Sequence, residues 1–143
     1  MASTWTSRSE EETRALGERF GRRMRGGEVV LLCGDLGVGK TQFAKGVGRG
    51  LDVQGDIVSP SFTLAVHYEG RLPLVHYDLY RVMGERELEE MGFLEPEDPR
   101  AVSLVEWGDR TGPPRGAIRV DMRLDLDGVR HIEIRGLDFG DAT

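Results

Sequence analysis

Apolar positions along the chain fall into two rhythms, and their order predicts a domain of alternating strands and helices. Residues 28–33 (Glu-Val-Val-Leu-Leu-Cys) form a short β-branched run, the pattern of a parallel strand covered on both faces. After it Phe43, Val47 and Leu51 recur every fourth position, one face of a helix. An earlier helix opens at Ser9, where Ser9-Glu10-Glu11-Glu12 makes a capping box with acids at the positive end. Leu16, Phe20 and Met24 give its buried stripe, arginines crowd its last turns, and Gly26-Gly27 is expected to stop it.

Downstream the rhythm becomes twofold. Phe62, Leu64, Val66 and Tyr68 alternate with Thr63, Ala65 and His67 as a half-buried strand over 62–68. A turn at Glu69-Gly70-Arg71 leads to a second strand over 74–77, expected to pair antiparallel with the first, with Asp78 at its end. A short helix is expected over 85–91, with Gly92 as its stop. Residues 101–105 read as another buried strand, closing in Glu106-Trp107. Ile118, Val120, Met122 and Leu124 alternate, Asp127-Gly128 turns the chain, and Ile132 and Ile134 return as a hairpin.

One stretch tells what this alternation is for. Gly34-Asp35-Leu36-Gly37-Val38-Gly39-Lys40-Thr41 fits G-x-x-x-x-G-K-[ST] without a mismatch, between the predicted buried strand and the predicted helix. In that pattern glycines curl the backbone so that N–H groups point at phosphate oxygens. The lysine supplies a fixed positive charge, the threonine hydroxyl can ligate magnesium, and the helix adds its dipole. The expected fold is therefore α/β, a three-layer P-loop NTPase-type domain. Its central sheet is mostly parallel, with antiparallel additions and a C-terminal hairpin.

Composition narrows the partners. At 143 residues a single domain over 1–143 is expected, with 1–8 and 136–143 as flexible ends. No apolar run approaches the ~20 residues that cross a bilayer, and Met1-Ala2-Ser3-Thr4-Trp5 lacks the basic flank of an export signal. A cytoplasmic protein is expected, and Cys33 reads as a small core residue of a reducing compartment. The net charge of −6 argues against holding nucleic acid by bulk electrostatics. Arg19, Arg22, Arg23 and Arg25 read as a solvated helix end rather than a docking patch.

A P-loop needs a second magnesium anchor, usually an acid at the end of a neighbouring buried strand. Glu106 holds that position, and Asp78 ends a shorter, more mixed strand. The assignment is Thr41 as metal ligand, Glu106 as metal anchor and Asp78 as the acid that orients or deprotonates the attacking water. The competing role for Asp78 is a salt bridge with Arg81. Ser59-Pro60-Ser61-Phe62-Thr63 places three hydroxyls at a proline corner, the segment that reaches the γ-phosphate or its magnesium in nucleotide switches. His67, His76 and His131 lack metal-ligand spacing and read as structural, and Trp107 as packing or a lean over the nucleotide. No lysine lies beyond Lys45, so the Asn-Lys-x-Asp segment that reads guanine is missing, and adenine or a loosely read base is expected.

The phosphate loop together with Ser59-Pro60-Ser61-Phe62-Thr63-Leu64, His76-Tyr77-Asp78-Leu79-Tyr80-Arg81, Glu87-Leu88-Glu89-Glu90-Met91-Gly92 and Leu104-Val105-Glu106-Trp107 resembles the TsaE (YjeE) family. The likeness runs from about Ser9 to Ile134, and the family's usual Ser-Pro-Thr is Ser59-Pro60-Ser61 here. The resemblance implies a cytoplasmic magnesium-dependent ATPase that works with TsaB and TsaD to make threonylcarbamoyladenosine next to the tRNA anticodon. It implies tRNA contact through those partners, and ATP hydrolysis that resets the complex between turnovers. The nucleotide-binding set so implied is Glu10, Asp35, Leu36, Gly37, Val38, Gly39, Lys40, Thr41, Gln42, Ser61, Thr63, Trp107 and Arg130. Lys40, Asp78 and Glu106 are the catalytic residues, and Thr41, Glu106 and Asp78 the metal set. A free-standing small-molecule kinase, or a nucleotide-gated binding module with negligible turnover, would use the same loop.

Overall fold

In a computed structural model of the chain, residues 2–35, 37–55, 57, 65–79, 98–107 and 116–137 are described, with Asp78, Leu79 and Trp107 described by their backbone alone. In order along the chain the elements are β1 (Ala2–Ser7), α1 (Glu10–Arg22), β2 (Val29–Cys33), α2 (Lys40–Gly50), β3 (Ala65–Tyr68), β4 (Leu74–Leu79), β5 (Val102–Trp107), β6 (Ile118–Leu124) and β7 (Arg130–Arg135). The strands form one seven-stranded sheet in the order β1-β7-β6-β2-β5-β4-β3. β2 pairs parallel with both β5 and β6, and β4 parallel with β5. The outer pairs β3–β4, β6–β7 and β7–β1 are antiparallel.

This order has a directional consequence. β1, β2, β4, β5 and β6 all point the same way, so their C-terminal ends share one edge of the sheet. Ligands of open α/β sheets bind outside that edge.

The alternation within β2 sorts the core. Val30 and Leu32 face the helices, where Phe20 of α1 and Phe43 and Val47 of α2 pack with Leu104, Val120, Ile132 and Ile134. Leu31 and Cys33 face the other way, with Val75, Tyr77 and Val105. Cys33 is thus the buried core residue expected of it.

α1 and α2 run side by side in the same direction at unusually close range. A Cβ on Gly17 would lie 2.3 Å from the Phe43 carbonyl oxygen, and one on Gly46 would lie 2.1 Å from that of Arg14. Gly21 and Gly50 repeat the contact one turn on, so each helix presents a small-xxx-small stripe. At the far end the Arg71 guanidinium donates to Met24 O and Gly21 O at 3.1 Å each and to Gly50 O at 3.4 Å, tying the two helix ends together.

Three expectations need correction or bounding. Residues 1–8 are not a loose lead, because Ala2–Ser7 forms an edge strand on β7 that buries Ser3, Trp5 and Ser7. α1 ends at Arg22, capped by Arg23, and Gly26-Gly27 instead turn the chain toward β2 with φ of 117° and 85°. The helix expected over 85–91, residues 62–64 of the strand expected over 62–68, and the Ser59-Pro60-Ser61 corner lie outside the described residues. The β3–β4 antiparallel pair and the β6–β7 hairpin form as the alternation predicts.

Candidate nucleotide site

The shared strand edge is where the phosphate loop sits. Gly34 leaves β2 with φ 152°, and a Cβ there would meet the Met122 carbonyl oxygen at 2.6 Å. Gly39 has φ 113° and becomes the N-cap of α2 without a side-chain cap. Its missing Cβ admits the Arg130 side chain, whose Nε would otherwise stand 2.9 Å from it. Only glycine tolerates that combination of backbone and crowding. Val38 N–H closes a turn on Asp35 O at 3.2 Å, and Phe43 N–H starts the helical ladder on Gly39 O at 3.1 Å.

α2 therefore begins with N–H groups that no side chain of its own satisfies, and its first turn carries no acidic residue. Lys40, 6% exposed, folds back so that Nζ donates to Gly34 O at 2.9 Å. A cation at the positive end of a helix is unfavourable unless an anion joins it. The arrangement fits a bound phosphate on those terms.

The neighbouring strand brings the acid. Glu106, 7% exposed, lies on β5 opposite Leu32 of β2 and points to the helix face. Asp78 is its register partner on β4, and Trp107 is opposite Cys33. Thr41 is half-buried in the first turn of α2, followed by Gln42, whose Oε1 accepts from Arg14 at 3.1 Å. Among the described residues no three His, Cys, Asp or Glu side chains converge as a metal cage. One hydroxyl and one carboxylate match how magnesium is held beside phosphates, where substrate oxygens and water complete the shell.

The hairpin braces the loop from the other side. Arg130 Nε donates to Val38 O at 2.9 Å, joining residues far apart in sequence. Its place is fixed by the preceding turn. Asp125 Oδ1 accepts from Asp127 and Val129 N–H at 2.9 and 3.0 Å, and Oδ2 meets His131 Nε2 at 2.8 Å. The His131 hydrogen bond, aided by the Val129 N–H, holds the Asp125 carboxyl below the usual carboxylate range. Glu10 is exposed at the start of α1, and since α1 runs with α2 it opens at the same sheet edge as Lys40.

A cavity of about 850 Å³ opens mainly on the opposite face of the sheet, lined by Cys33, Gly34, Asp35, Gly37, Arg119 and Asp121 among others. It includes neither Lys40, Thr41 nor Glu106, so the strand ends rather than this hollow define the chemistry. Sequence reasoning takes His76 as a structural residue. It is fully buried, yet its Nε2 stands 3.6 Å from Glu106 Oε1. No local spacing signals a contact that runs diagonally between two strands. Leu36, Ser61 and Thr63 of the implied nucleotide set, and Arg81, the competing partner of Asp78, lie outside the described residues.

A helix N-terminus without a side-chain cap, fed by curled glycines at the C-terminal edge of a parallel sheet, is how P-loop proteins hold phosphate, and this domain has the P-loop fold. The family model for the threonylcarbamoyl adenosine biosynthesis protein TsaE matches residues 7–132, and the chain belongs to that family. It is 38% identical to the tRNA threonylcarbamoyladenosine biosynthesis protein TsaE of Treponema pallidum, covering 90% of this chain and 96% of that one. The protein of the same name in Streptomyces coelicolor is also 38% identical, over 91% of this chain and 94% of its own. The crystal structure of Bacillus subtilis YdiB superposes with a TM-score of 0.74 at 31% identity, covering 94% of this chain and 84% of that one.

Proposed function

We propose that this chain is a magnesium-dependent ATPase of threonylcarbamoyladenosine synthesis on tRNA, acting with TsaB and TsaD and resetting that complex between turnovers. The observation that carries the reading is the uncapped α2 N-terminus, with Lys40 inside it and Glu106 at the end of the parallel neighbour β5. Lys40 and the N–H groups of Asp35 to Gln42 hold the phosphates, Thr41 and Glu106 hold the metal, and Asp78 orients or deprotonates water. Magnesium, when bound, neutralises charge on the phosphate oxygens. Arg130 keeps the loop in shape through Val38 O. Glu10 and Trp107 flank the nucleotide, and Leu36, Ser61 and Thr63 complete the set. Adenine is the base, given the lack of any lysine beyond Lys45. The family names of the relatives support the tRNA role. The net charge of −6 supports tRNA contact through the partners rather than directly, in the cytoplasm.

Hydrolysis by the isolated chain is slow on this reading, because Arg130 is committed to Val38 O of the loop rather than to the γ-phosphate. P-loop enzymes in this situation gain charge or a rigid switch from a partner, an effect on the order of 1,000-fold. Steady-state phosphate release with and without a TsaB–TsaD complex tests it, beside association measured in ATP and in ADP. Stimulation by the complex, with ATP favouring association, is expected. Fast turnover alone, indifferent to the complex, would refute it and favour a free-standing kinase.

A further inference from the structure

His76 lies midway along β4 with its side chain wholly buried, and neither ring nitrogen has a hydrogen-bond partner among the described residues. Buried polar groups are nearly always paired, so an orphaned imidazole needs a cause. A ring present only to fill the core would serve better as carbon, since unpaired buried nitrogens are unfavourable and an apolar ring of similar shape is not.

The topology supplies the cause. β4 and β5 run parallel, with His76 opposite Leu104 and Asp78 opposite Glu106. His76 and Glu106 are thus diagonal neighbours on one face, the face whose other members, Leu74 and Leu104, belong to the core under α2. Among the described residues Glu106 is the ionic neighbour of the ring, with Nε2 3.6 Å from Oε1. That separation is too long for a hydrogen bond, and a shift of about 0.7 Å would make one. Contacts of this kind tighten when a site is loaded.

We propose that His76 is a positioning residue for Glu106, donating from Nε2–H to the carboxylate and fixing its orientation for the magnesium that accompanies the nucleotide. The inference rests on the metal role proposed for Glu106. Partners of this kind, one step behind the ligands, set ligand orientation, and losing one weakens metal affinity about 10- to 100-fold.

The test uses a non-hydrolysable ATP analogue, with magnesium titrated by calorimetry against wild type, His76→Phe, His76→Gln and Glu106→Gln. His76→Phe should melt at or above wild type and bind the analogue normally without magnesium. Its magnesium midpoint should rise about tenfold or more. His76→Gln, which restores an N–H donor, should recover most of that loss. A wild-type magnesium midpoint in folded His76→Phe, or equal impairment in the glutamine variant, overturns the inference. Should the phenylalanine variant not fold, nitrogen NMR of the wild-type ring with analogue and magnesium decides the matter. The proton is expected on Nε2, and a proton on Nδ1 sinks the idea. Glu106→Gln separates the two levels. If it leaves the magnesium midpoint unmoved, the metal role of Glu106 itself fails. If it moves the midpoint while His76→Phe does not, the role of His76 alone fails.

Discussion

The two helices start at the same edge of the sheet, run in the same direction and are tied at their ends by the same arginine, yet their first turns follow opposite rules. α1 satisfies itself. Ser9 Oγ accepts from Glu12 N–H at 3.1 Å, the Glu12 carboxylate accepts from Arg8 N–H at 2.5 Å, and Glu10, Glu11 and Glu12 face the positive end of the dipole. α2 has a glycine at the cap, no acid in its first turn and a buried lysine where a cation is least welcome. Both lie against the same core, so packing does not explain the difference. A sequence that obeys the local rules in one helix and breaks them in its neighbour marks the second as the place where something else completes the structure. On the proposed reading that something is the phosphate of the nucleotide.

Lys40→Ala should produce the largest effect on this contrast. ATP affinity should fall roughly 100-fold or more, the scale expected when a charge-assisted hydrogen bond is removed from a desolvated site. Stability without nucleotide should barely change. The absent hydrogen bond to Gly34 O and the relief of charge at the helix end oppose each other, at about 1 kcal/mol each. Calorimetry with ATP and magnesium, beside a melting curve, reads both. A folded variant with unchanged affinity would remove the phosphate from the site.

Gly46→Ala strikes what the helices share. Its Cβ would fall 2.1 Å from Arg14 O, a backbone atom that cannot swing aside. Unfolding free energy should drop by about 2 kcal/mol or more, the upper part of the usual overpacking range. Urea midpoints should shift with little change in slope. Excess nucleotide should restore stability to this variant by mass action, as it should stabilise wild type and not Lys40→Ala. An unmoved midpoint would mean the close approach of the glycines is incidental.

How much of this can be read from the chain depends on whether the cause is local. The phosphate loop, the Ser9 cap and the 118–134 hairpin are each written within fewer than twenty residues, and the cap, the hairpin and the described residues of the loop form as their patterns predict. β1 escapes the pattern because Ala2–Ser7 contains one large apolar residue, Trp5, between small buried serines, and its partner β7 lies at the other end of the sequence. Arg19 stacks 4.8 Å from the Trp5 ring, a cross-element contact with no sequence signature. Gly17, Gly21, Gly46 and Gly50 are visible in the sequence only as weak helix formers, when each in fact fits against the backbone of the other helix. Glu106 is legible because strand ends are where P-loop acids sit. His76 is not, because ligand spacing runs along the chain, and its relation to Glu106 exists only once β4 lies beside β5.

Ser9→Ala should give the smallest effect and the sharpest test of the division between the helices. The variant leaves Glu12 N–H without its acceptor but keeps the Ser9 carbonyl, which accepts from Ser7 Oγ at 2.8 Å and Thr13 Oγ1 at 3.2 Å. Losing such a cap costs about 1 kcal/mol, and replacement by glycine costs only a few tenths. For a domain of this size that corresponds to a fall of about 3–4 °C in Tm for the alanine variant, with Ser9→Gly close to wild type. ATP affinity should stay within about twofold, because the cap acts within α1 and no phosphate depends on it. Thermal melts of the three proteins, followed by calorimetry with ATP and magnesium, supply both numbers. An unchanged Tm would show that Ser9 does not cap. If Ser9→Ala weakened ATP binding as Lys40→Ala is expected to, the Ser9 cap itself would serve the phosphates and the contrast between the two first turns would collapse.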